Sequence, residues 1–156
     1  MKKEEFSILF IKAIRIALQA HGGQVDKAGE PYILHPLSVF SKCETEKGKI
    51  VAILHDVVED SPITLADIQK EIPDQEIIDA VDLLTKKEAD KKRQGYKCYL
   101  CRIKSNEIAR EVKIADLKHN MDLSRLKVVT ERDIKRQKKY QKSLDFLQCK
   151  SCDFDF

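Results

Sequence analysis

Apolar positions recur at helical spacing along almost the whole chain. In the first segment they form one stripe that stops before a pair of glycines, so a helix is predicted to end near residues 21–23. The residues of this stripe are Phe6, Leu9, Phe10, Ala13, Ile16 and Ala17. No segment shows the alternation of apolar and polar positions that is typical of a half-buried strand. The pattern predicts an all-α fold, a compact bundle of six to eight helices.

Prolines, glycines and charged runs set the predicted boundaries of the later elements. Residues 22–30 are polar and contain three glycines, so they are predicted to form a loop. A second helix is expected to start around Pro36, because proline is favoured in a first turn. The strongly apolar residues 49–59 are predicted to form a central third helix. Residues 86–95 are predicted to form a mobile loop, and 131–148 a last, very basic helix.

The length of the chain, 156 residues, is that of one domain with one core. We expect a single domain over residues 1–150, followed by a short C-terminal tail over 151–156. No apolar run is long enough to span a membrane, and the first residues form an amphipathic helix instead of a signal peptide. A cytoplasmic location without a membrane partner is therefore predicted, whereas the oligomeric state is left open.

The net charge of +3 hides an uneven distribution. Residues 86–150 contain 20 Lys and Arg against 9 Asp and Glu, whereas the rest contains 9 against 17. A basic half beside an acidic half suits a small polyanion such as a nucleotide polyphosphate. Solvated helix faces explain most of these lysines equally well.

Two histidines and two carboxylates stand at three separate stations of the chain: His35, the adjacent pair His55 and Asp56, and Asp116. Imidazole and carboxylate groups form a ligand set that suits a divalent transition metal. Asp56 and Asp116 both lie in apolar stretches, where an unpaired carboxylate is costly to bury. These residues are therefore predicted to form a catalytic metal site.

Further polar residues are predicted to share helix faces with the metal ligands. Glu59 and Asp60 come one helical turn after Asp56. Asn120 comes one turn after Asp116 in a helix that is predicted over 106–126.

The order His…His-Asp…Asp resembles that of the HD-domain metal-dependent phosphohydrolases. Three stretches are similar to the hydrolase domain of the Rel/Spo family: Gly-Gln-Val-Asp-Lys-Ala-Gly-Glu-Pro-Tyr-Ile-Leu-His-Pro at 23–36, the extension Glu59-Asp60, and Val-Lys-Ile-Ala-Asp-Leu-Lys-His-Asn-Met at 112–121. The resemblance runs from about residue 17 to about residue 126 and is closest to the stand-alone small hydrolase form. It implies an HD-domain helical bundle that removes the 3′-pyrophosphate from guanosine tetra- and pentaphosphate alarmones.

The resemblance also implies a role for each matching position. The four predicted ligands would bind Mn²⁺, although other divalent transition metals fit the same donors. Glu59 and Asp60 would orient or deprotonate the attacking water. Lys27 and Asn120 would contact the substrate. His21 matches no ligand of the family and is interpreted as a helix-end residue.

One position departs from the family. Members that hydrolyse alarmones usually carry an arginine that packs on the guanine just before the lysine, and here that position is Asp26. A carboxylate cannot stack on a base as a guanidinium does, and it repels phosphates. Lys27, helped by Lys113 or Arg125, is expected to offset phosphoryl charge, although Arg125 is explained as well by a surface position.

The five cysteines offer a different kind of site. Two Cys-x-x-Cys pairs, Cys98 with Cys101 and Cys149 with Cys152, could hold a structural zinc ion. The first pair falls in a predicted helix without the turn residues of a zinc knuckle, so independent, reduced thiols are expected instead.

Four functions are compatible with the sequence. The first is a manganese-dependent pyrophosphohydrolase of alarmone nucleotides, and the second is a hydrolase of the same chemistry that acts on another nucleotide or phosphorylated metabolite. The third is a module that senses a nucleotide without turning it over, which the presence of both Glu59 and Asp60 disfavours. The fourth is a zinc-stapled nucleic-acid binder, which is disfavoured because Tyr140 is the single aromatic residue in the basic stretch from Arg132 to Lys142 of the last helix.

Overall fold

Nine α-helical segments are present in residues 1–149, the part of the chain that the computed structural model describes. They are α1 (Lys3–His21), α2 (Leu34–Phe40), α3 (Glu46–Leu54), α4 (Val57–Asp60), α5 (Leu65–Glu71), α6 (Gln75–Leu84), α7 (Arg93–Lys104), α8 (Glu107–Asn120) and α9 (Glu131–Gln148). Because α4 is one turn that follows α3 after two residues, the segments amount to eight helices. Residues 1–149 contain no strand beyond an isolated bridge between Val25 and Pro31. The predicted all-α bundle is confirmed; the predicted tail over 151–156 lies outside the described residues.

Helix α3 is the centre of the core. Its residues from Ile50 to Leu54 have no exposed surface, and α1, α2, α6 and α8 all pack against it. A helix that is apolar on every side can be accommodated only when neighbours cover it all round. As a result, the groups at the C-terminal end of α3 are placed in the interior, where polar side chains need partners.

Side-chain caps fix where several helices begin. The hydroxyl of Thr64 accepts from the backbone N–H of Asp67, whose carboxylate accepts from the N–H of Thr64 in return. Thr130 and Asp133 repeat this capping box at the start of α9. Such a cap contributes about 1 kcal/mol to helix stability.

The predicted third helix is wrong at its C-terminal end. It was expected to continue to residue 59, but α3 ends at Leu54 and helical structure resumes only at Val57. The ring Nδ1 of His55 lies 2.7 Å from the carbonyl oxygen of Ala52, which in a continuous helix accepts from the N–H four residues later. The break leaves His55 and Asp56 in a short turn between two helices.

Two other predicted boundaries also differ from the structure. Helix α2 starts at Leu34, two residues before Pro36, and α8 ends at Asn120 instead of 126. A 3₁₀ turn over Glu88–Lys91 and the start of α7 occupy most of the predicted loop at 86–95, so the predicted extent of that loop is wrong. Its mobility stays a prediction.

The cysteines follow the sequence expectation only in part. Cys43, Cys98 and Cys101 are free, as predicted. Cys149 is disulfide-bonded, so the expectation of a reduced thiol is wrong there and a zinc site built from all four paired cysteines is contradicted. Cys152 lies outside the described residues.

None of the helices in residues 1–149 combines the length and the apolar character that crossing a bilayer requires.

We predict that Gly95→Ala destabilises the protein. A Cβ at Gly95 would overlap the backbone carbonyl oxygen of Ala89, so α7 could no longer rest against the 3₁₀ turn before it. The free energy of unfolding should fall by about 1–3 kcal/mol, as for other overpacked sites. In an uncrowded helix the same change stabilises by up to about 1 kcal/mol, so urea denaturation gives a clear sign. The control Gln94→Ala, at an exposed position of the same helix, should change the stability little.

Candidate metal centre

Three packed helices bring the predicted metal ligands together. His35 lies on α2, His55 and Asp56 occupy the break after α3, and Asp116 lies on α8. Helix α3 packs against both α2 and α8, and these two also contact each other. Residues that are separated by up to 81 positions in the sequence therefore meet at the end of the central helix.

The donor atoms of these four side chains surround one point. Nε2 of His35 lies 3.2 Å from Nε2 of His55, 3.3 Å from Oδ2 of Asp56 and 3.4 Å from Oδ1 of Asp116. Nε2 of His55 lies 3.1 Å from Oδ2 of Asp56 and 3.9 Å from Oδ1 of Asp116. His35, His55 and Asp116 are more than nine-tenths buried. Two imidazole nitrogens thus lie side by side, and an oxygen of each carboxylate lies within 4 Å of both of them.

This donor set fits a divalent cation. Ligands about 2.0–2.2 Å from a metal lie roughly 2.8–3.6 Å from one another in octahedral or tetrahedral geometry. Four of the five distances given above fall in that range, and the fifth, from Nε2 of His55 to Oδ1 of Asp116, is 3.9 Å. Two imidazole nitrogens that point at each other cannot both hold a proton between them, whereas both can donate a lone pair to one ion. Within the described residues, His35, His55 and Asp116 form a possible metal-binding group.

The pKa values of the ligands show how strongly their charges interact. Burial lowers the pKa of His35, but hydrogen bonds and charge attraction from Asp116 and Asp56 outweigh it and raise that pKa to about 9. Burial acts to raise the pKa of Asp116, but the charge of Lys113 and the two imidazoles hold it far below its usual range. The two imidazoles likewise hold the pKa of Asp56 well below its usual range. Both carboxylates are therefore ionised, which is affordable for groups with so little exposure only beside cations.

Hydrogen bonds outside the donor set orient the ligands. Nδ1 of His55 lies 2.7 Å from the carbonyl oxygen of Ala52, which fixes the tautomer that leaves Nε2 free for a metal. Lys113 donates to Oδ2 of Asp116 at 2.7 Å, and the side-chain amide of Asn120 donates to Oδ1 of the same carboxylate. Asn120 thus contacts a predicted ligand, and its contact with the substrate stays a prediction.

Tyr32 connects the centre to the predicted catalytic pair, and the sequence analysis did not identify it. Its hydroxyl donates to Oδ2 of Asp56 at 2.6 Å and lies 3.3 Å from Oδ2 of Asp60. The ring of His21, the last residue of α1, packs on the Tyr32 ring with centroids 4.8 Å apart. The sequence does contain a signal that could have identified Tyr32, because it lies three residues before His35 and close to the predicted start of α2.

Glu59 and Asp60 lie in the same cleft as the ligands. Glu59 pairs with the ammonium of Lys86 at 3.1 Å and accepts the backbone N–H of that residue. Burial, Asp56 and Glu59 together raise the pKa of Asp60 above its ordinary value. A carboxylate whose pKa is raised is a better proton acceptor than an ordinary one.

The cleft has a volume of about 570 Å³ and two kinds of lining. Seven of its lining residues are acidic (Asp26, Asp56, Glu59, Asp60, Asp90, Asp116 and Asp122), and seven are basic (Lys27, Lys86, Lys91, Lys113, Arg125, Arg136 and Lys139). Lys27 is exposed. Six of the seven basic residues lie in residues 86–150, the part of the chain with excess positive charge, and four of the seven acidic ones lie in the other part.

Asp26 has partners that reduce its effect on an approaching anion. Its carboxylate accepts the backbone N–H groups of Ala28 at 2.8 Å and Glu30 at 3.0 Å, and it pairs with the guanidinium of Arg125 at 3.2 Å. Arg125 is exposed, in agreement with its interpretation as a surface arginine, and it forms an ion pair there. The pair places a guanidinium at the edge of the cleft, next to the loop that carries Lys27.

Curated proteins that are named after alarmone metabolism share sequence with this chain. It is 43% identical over 89 residues to the guanosine-3′,5′-bis(diphosphate) 3′-pyrophosphohydrolase of Borreliella burgdorferi, covering 54% of this chain and 13% of that protein. It is 33% identical over 122 residues to the bifunctional (p)ppGpp synthase/hydrolase SpoT of Escherichia coli K12, covering 70% of this chain and 17% of that protein. The chain thus spans less than a fifth of the length of these relatives. No family model matches it.

A solved structure has the same fold. It belongs to a metazoan ortholog of SpoT that is described as hydrolyzing ppGpp, and it matches with a TM-score of 0.75 at 22% identity over 90% of this chain and 85% of that one. The likeness agrees with the all-α bundle that the apolar pattern predicted.

We predict that metal binding releases a proton and strengthens as the pH rises. The pKa of His35, about 9, means that its ring is charged at pH 7 in the metal-free protein, and a metal needs the neutral ring. Calorimetry of Mn²⁺ binding at pH 7 in buffers of different ionisation enthalpy should show release of about one proton. The affinity should rise about tenfold per pH unit between pH 6.5 and 8. An affinity that is constant over this interval would contradict the assignment of His35.

We also predict that Tyr32→Phe weakens metal binding without unfolding the protein. The change removes the hydroxyl that holds Oδ2 of Asp56, and loss of such an outer contact typically costs about 10–100-fold in metal affinity. Calorimetry with Mn²⁺ measures the effect. Tyr140→Phe, at another tyrosine that lines the cleft, is the matched control and should leave the affinity unchanged. Equal affinities in the two variants would show that Tyr32 does not orient a ligand.

Proposed function

This chain is a Rel/Spo hydrolase-domain-like protein, and we propose that it is a metal-dependent phosphohydrolase that converts ppGpp to GDP and pyrophosphate. The observation that carries the proposal is the close approach of the imidazoles of His35 and His55 to the carboxylates of Asp56 and Asp116, in a cleft that Glu59, Asp60 and several basic side chains also line. The relatives' names supply the substrate, and the donor geometry supports the chemistry. The proposal covers one catalytic domain over residues 1–150 and a cytoplasmic location.

Manganese is the metal that we propose for the site. Two imidazoles favour Mn²⁺, Fe²⁺ or Zn²⁺ over Mg²⁺, which prefers an all-oxygen shell. The choice among these three rests on the resemblance to the Rel/Spo hydrolases. When bound, the ion supplies a water of lowered pKa and withdraws charge from a phosphoryl oxygen.

The side chains around the centre have separate roles in the reaction. Asp60, whose pKa is raised, accepts the proton of the attacking water, and Tyr32 holds its carboxylate in place. Glu59, fixed by Lys86, orients that water. Lys113 and Lys27 offset the negative charge that develops on the phosphoryl group. Asn120 keeps the Asp116 carboxylate turned towards the ligands.

One observation favours a second candidate, a hydrolase that acts on a different nucleotide. In this chain Asp26 stands where the alarmone hydrolases usually carry a guanine-packing arginine. Its carboxylate holds Arg125 at the edge of the cleft, so that a guanidinium is still available, but it reaches the cleft from another part of the chain. If this guanidinium replaces the usual one, Arg125 recognises the base. The proposed preference for guanine therefore depends on Arg125.

The direct test is anion-exchange analysis of ppGpp incubated with purified protein and Mn²⁺. We expect conversion to GDP and pyrophosphate that is abolished by Asp56→Ala, because the metal loses a ligand. Asp60→Asn should bind Mn²⁺ and lower kcat by about 10²–10⁴-fold, because the proton acceptor is lost.

Each outcome of this test decides between the candidates. An unchanged ppGpp peak with Mn²⁺ bound, together with hydrolysis of another nucleotide in a panel, would replace the alarmone hydrolase with the second candidate. Loss of Mn²⁺ binding in the unmodified protein would overturn the metal centre itself. Equal activity of Asp60→Asn and the unmodified protein would assign the proton transfer to another group.

A further inference from the structure

Three lysines line the cleft beside the metal ligands, and the proposed mechanism uses only one of them for the phosphoryl charge. Lys86 follows α6, Lys113 lies on α8 and Lys139 lies on α9. They are 27 and 26 positions apart in the sequence, so only the packing of these elements brings them together. We call these three residues the lysine cluster.

Two tyrosine rings of α7 support the lysine cluster. The ammonium nitrogens of Lys86 and Lys113 lie 5.9 and 5.8 Å from the centroid of the Tyr99 ring, and that of Lys139 lies 3.8 Å from the centroid of the Tyr96 ring. The two rings are 5.9 Å apart. Because aromatic faces attract cations, these two neighbouring rings hold the three ammonium groups in one part of the cleft.

The charges of the lysine cluster are only partly balanced. Lys86 pairs with Glu59 at 3.1 Å, and Lys113 pairs with Asp116 at 2.7 Å. No carboxylate of residues 1–149 forms an ion pair with Lys139. Burial and the charges of Lys86 and Lys113 lower the pKa of Lys139, which shows that the three cations repel one another. An anion placed among them would relieve this repulsion.

The position of the lysine cluster defines where such an anion would lie. Oδ1 of Asp116 faces the histidines, whereas Oδ2 of the same carboxylate accepts from Lys113. The Asp116 carboxylate therefore lies between Lys113 of the cluster and the metal centre. Through Glu59, it also adjoins the proposed site of the attacking water. A phosphoryl group at the metal would have its neighbouring phosphoryl group beside the three ammonium groups.

We propose that the lysine cluster binds the second phosphoryl group of a diphosphate whose first phosphoryl group lies at the metal centre. The inference deepens the proposed function and rests on it for the identity of the first site. It makes the protein selective for diphosphorylated over monophosphorylated compounds. One diphosphate spans both sites, and each ammonium contributes a charge-assisted hydrogen bond to the second phosphoryl group.

The test compares the binding of inorganic pyrophosphate with that of inorganic phosphate. Isothermal titration is carried out with the Mn²⁺-loaded protein and with Mn²⁺ in fixed excess, so that chelation is the same for every variant. We expect Lys139→Gln to weaken pyrophosphate binding about tenfold and to change phosphate binding less than about twofold, because phosphate can satisfy the metal alone. Lys139→Arg, which keeps the charge, should retain most of the affinity for pyrophosphate.

The matched control is Lys138→Gln, at the neighbouring exposed lysine of α9 that does not line the cleft. It should leave both affinities unchanged. Equal losses for pyrophosphate and phosphate, or no loss for either in Lys139→Gln, would overturn the assignment of the lysine cluster.

The proposed function can fail separately from this inference, because the titrations need no turnover. Weaker pyrophosphate binding in Lys139→Gln, together with inertness of the unmodified protein towards ppGpp, would support the cluster and reject the ppGpp hydrolase. The opposite outcome is hydrolysis of ppGpp by the unmodified protein, with an unchanged KM and unchanged pyrophosphate binding in Lys139→Gln. It would support the ppGpp hydrolase and reject the lysine cluster.

Discussion

The burial of two ionised carboxylates, Asp56 and Asp116, is the constraint on which the rest of this structure depends. Both face imidazole nitrogens at the end of α3, a helix whose residues from Ile50 to Leu54 are completely covered. Charges in such a place are tolerated only when cations neutralise them closely. Lys113 supplies one positive charge, and in the metal-free protein the protonated ring of His35 supplies another. A bound divalent metal would replace that proton and bring the larger charge. The apolar helix thus places the carboxylates where close cations are required.

The contacts around Asp56 and Asp116 fix the positions of these carboxylates and leave space in the cleft for a substrate. Tyr32, Lys113 and Asn120 each donate to a ligand carboxylate, so the acidic oxygens have fixed directions before any ion arrives. A preformed site loses little free energy in reorganising. The break at His55 and Asp56 contributes as well, because it presents both donors to the same point and starts α4 with Glu59 and Asp60 directed towards the cleft.

Periodicity and residue chemistry were enough to predict the helices and the four ligand candidates, because both signals are local in the sequence. The apolar stripe of α1 and the capping box at Thr64 depend on neighbours within a few residues. The break after Leu54 was not predictable, since it depends on a ring nitrogen turning back to a carbonyl inside an otherwise uninterrupted apolar run. The pairing of Asp26 with Arg125 joins residues that are 99 positions apart, and no local pattern reports it.

The charge distribution acquires its meaning only in the folded chain. In the sequence, an acidic first part and a basic second part are compatible with solvated helix faces. Folding brings Glu59, Asp60 and the lysine cluster into one cleft, where Lys86 pairs with Glu59 and Lys113 pairs with Asp116. A metal bound by Asp116 would withdraw the charge of that carboxylate from Lys113 and leave the lysine cluster more positive than before. Metal binding and anion binding in this cleft should therefore reinforce each other, which is the property that a metal-dependent hydrolase of polyphosphates requires.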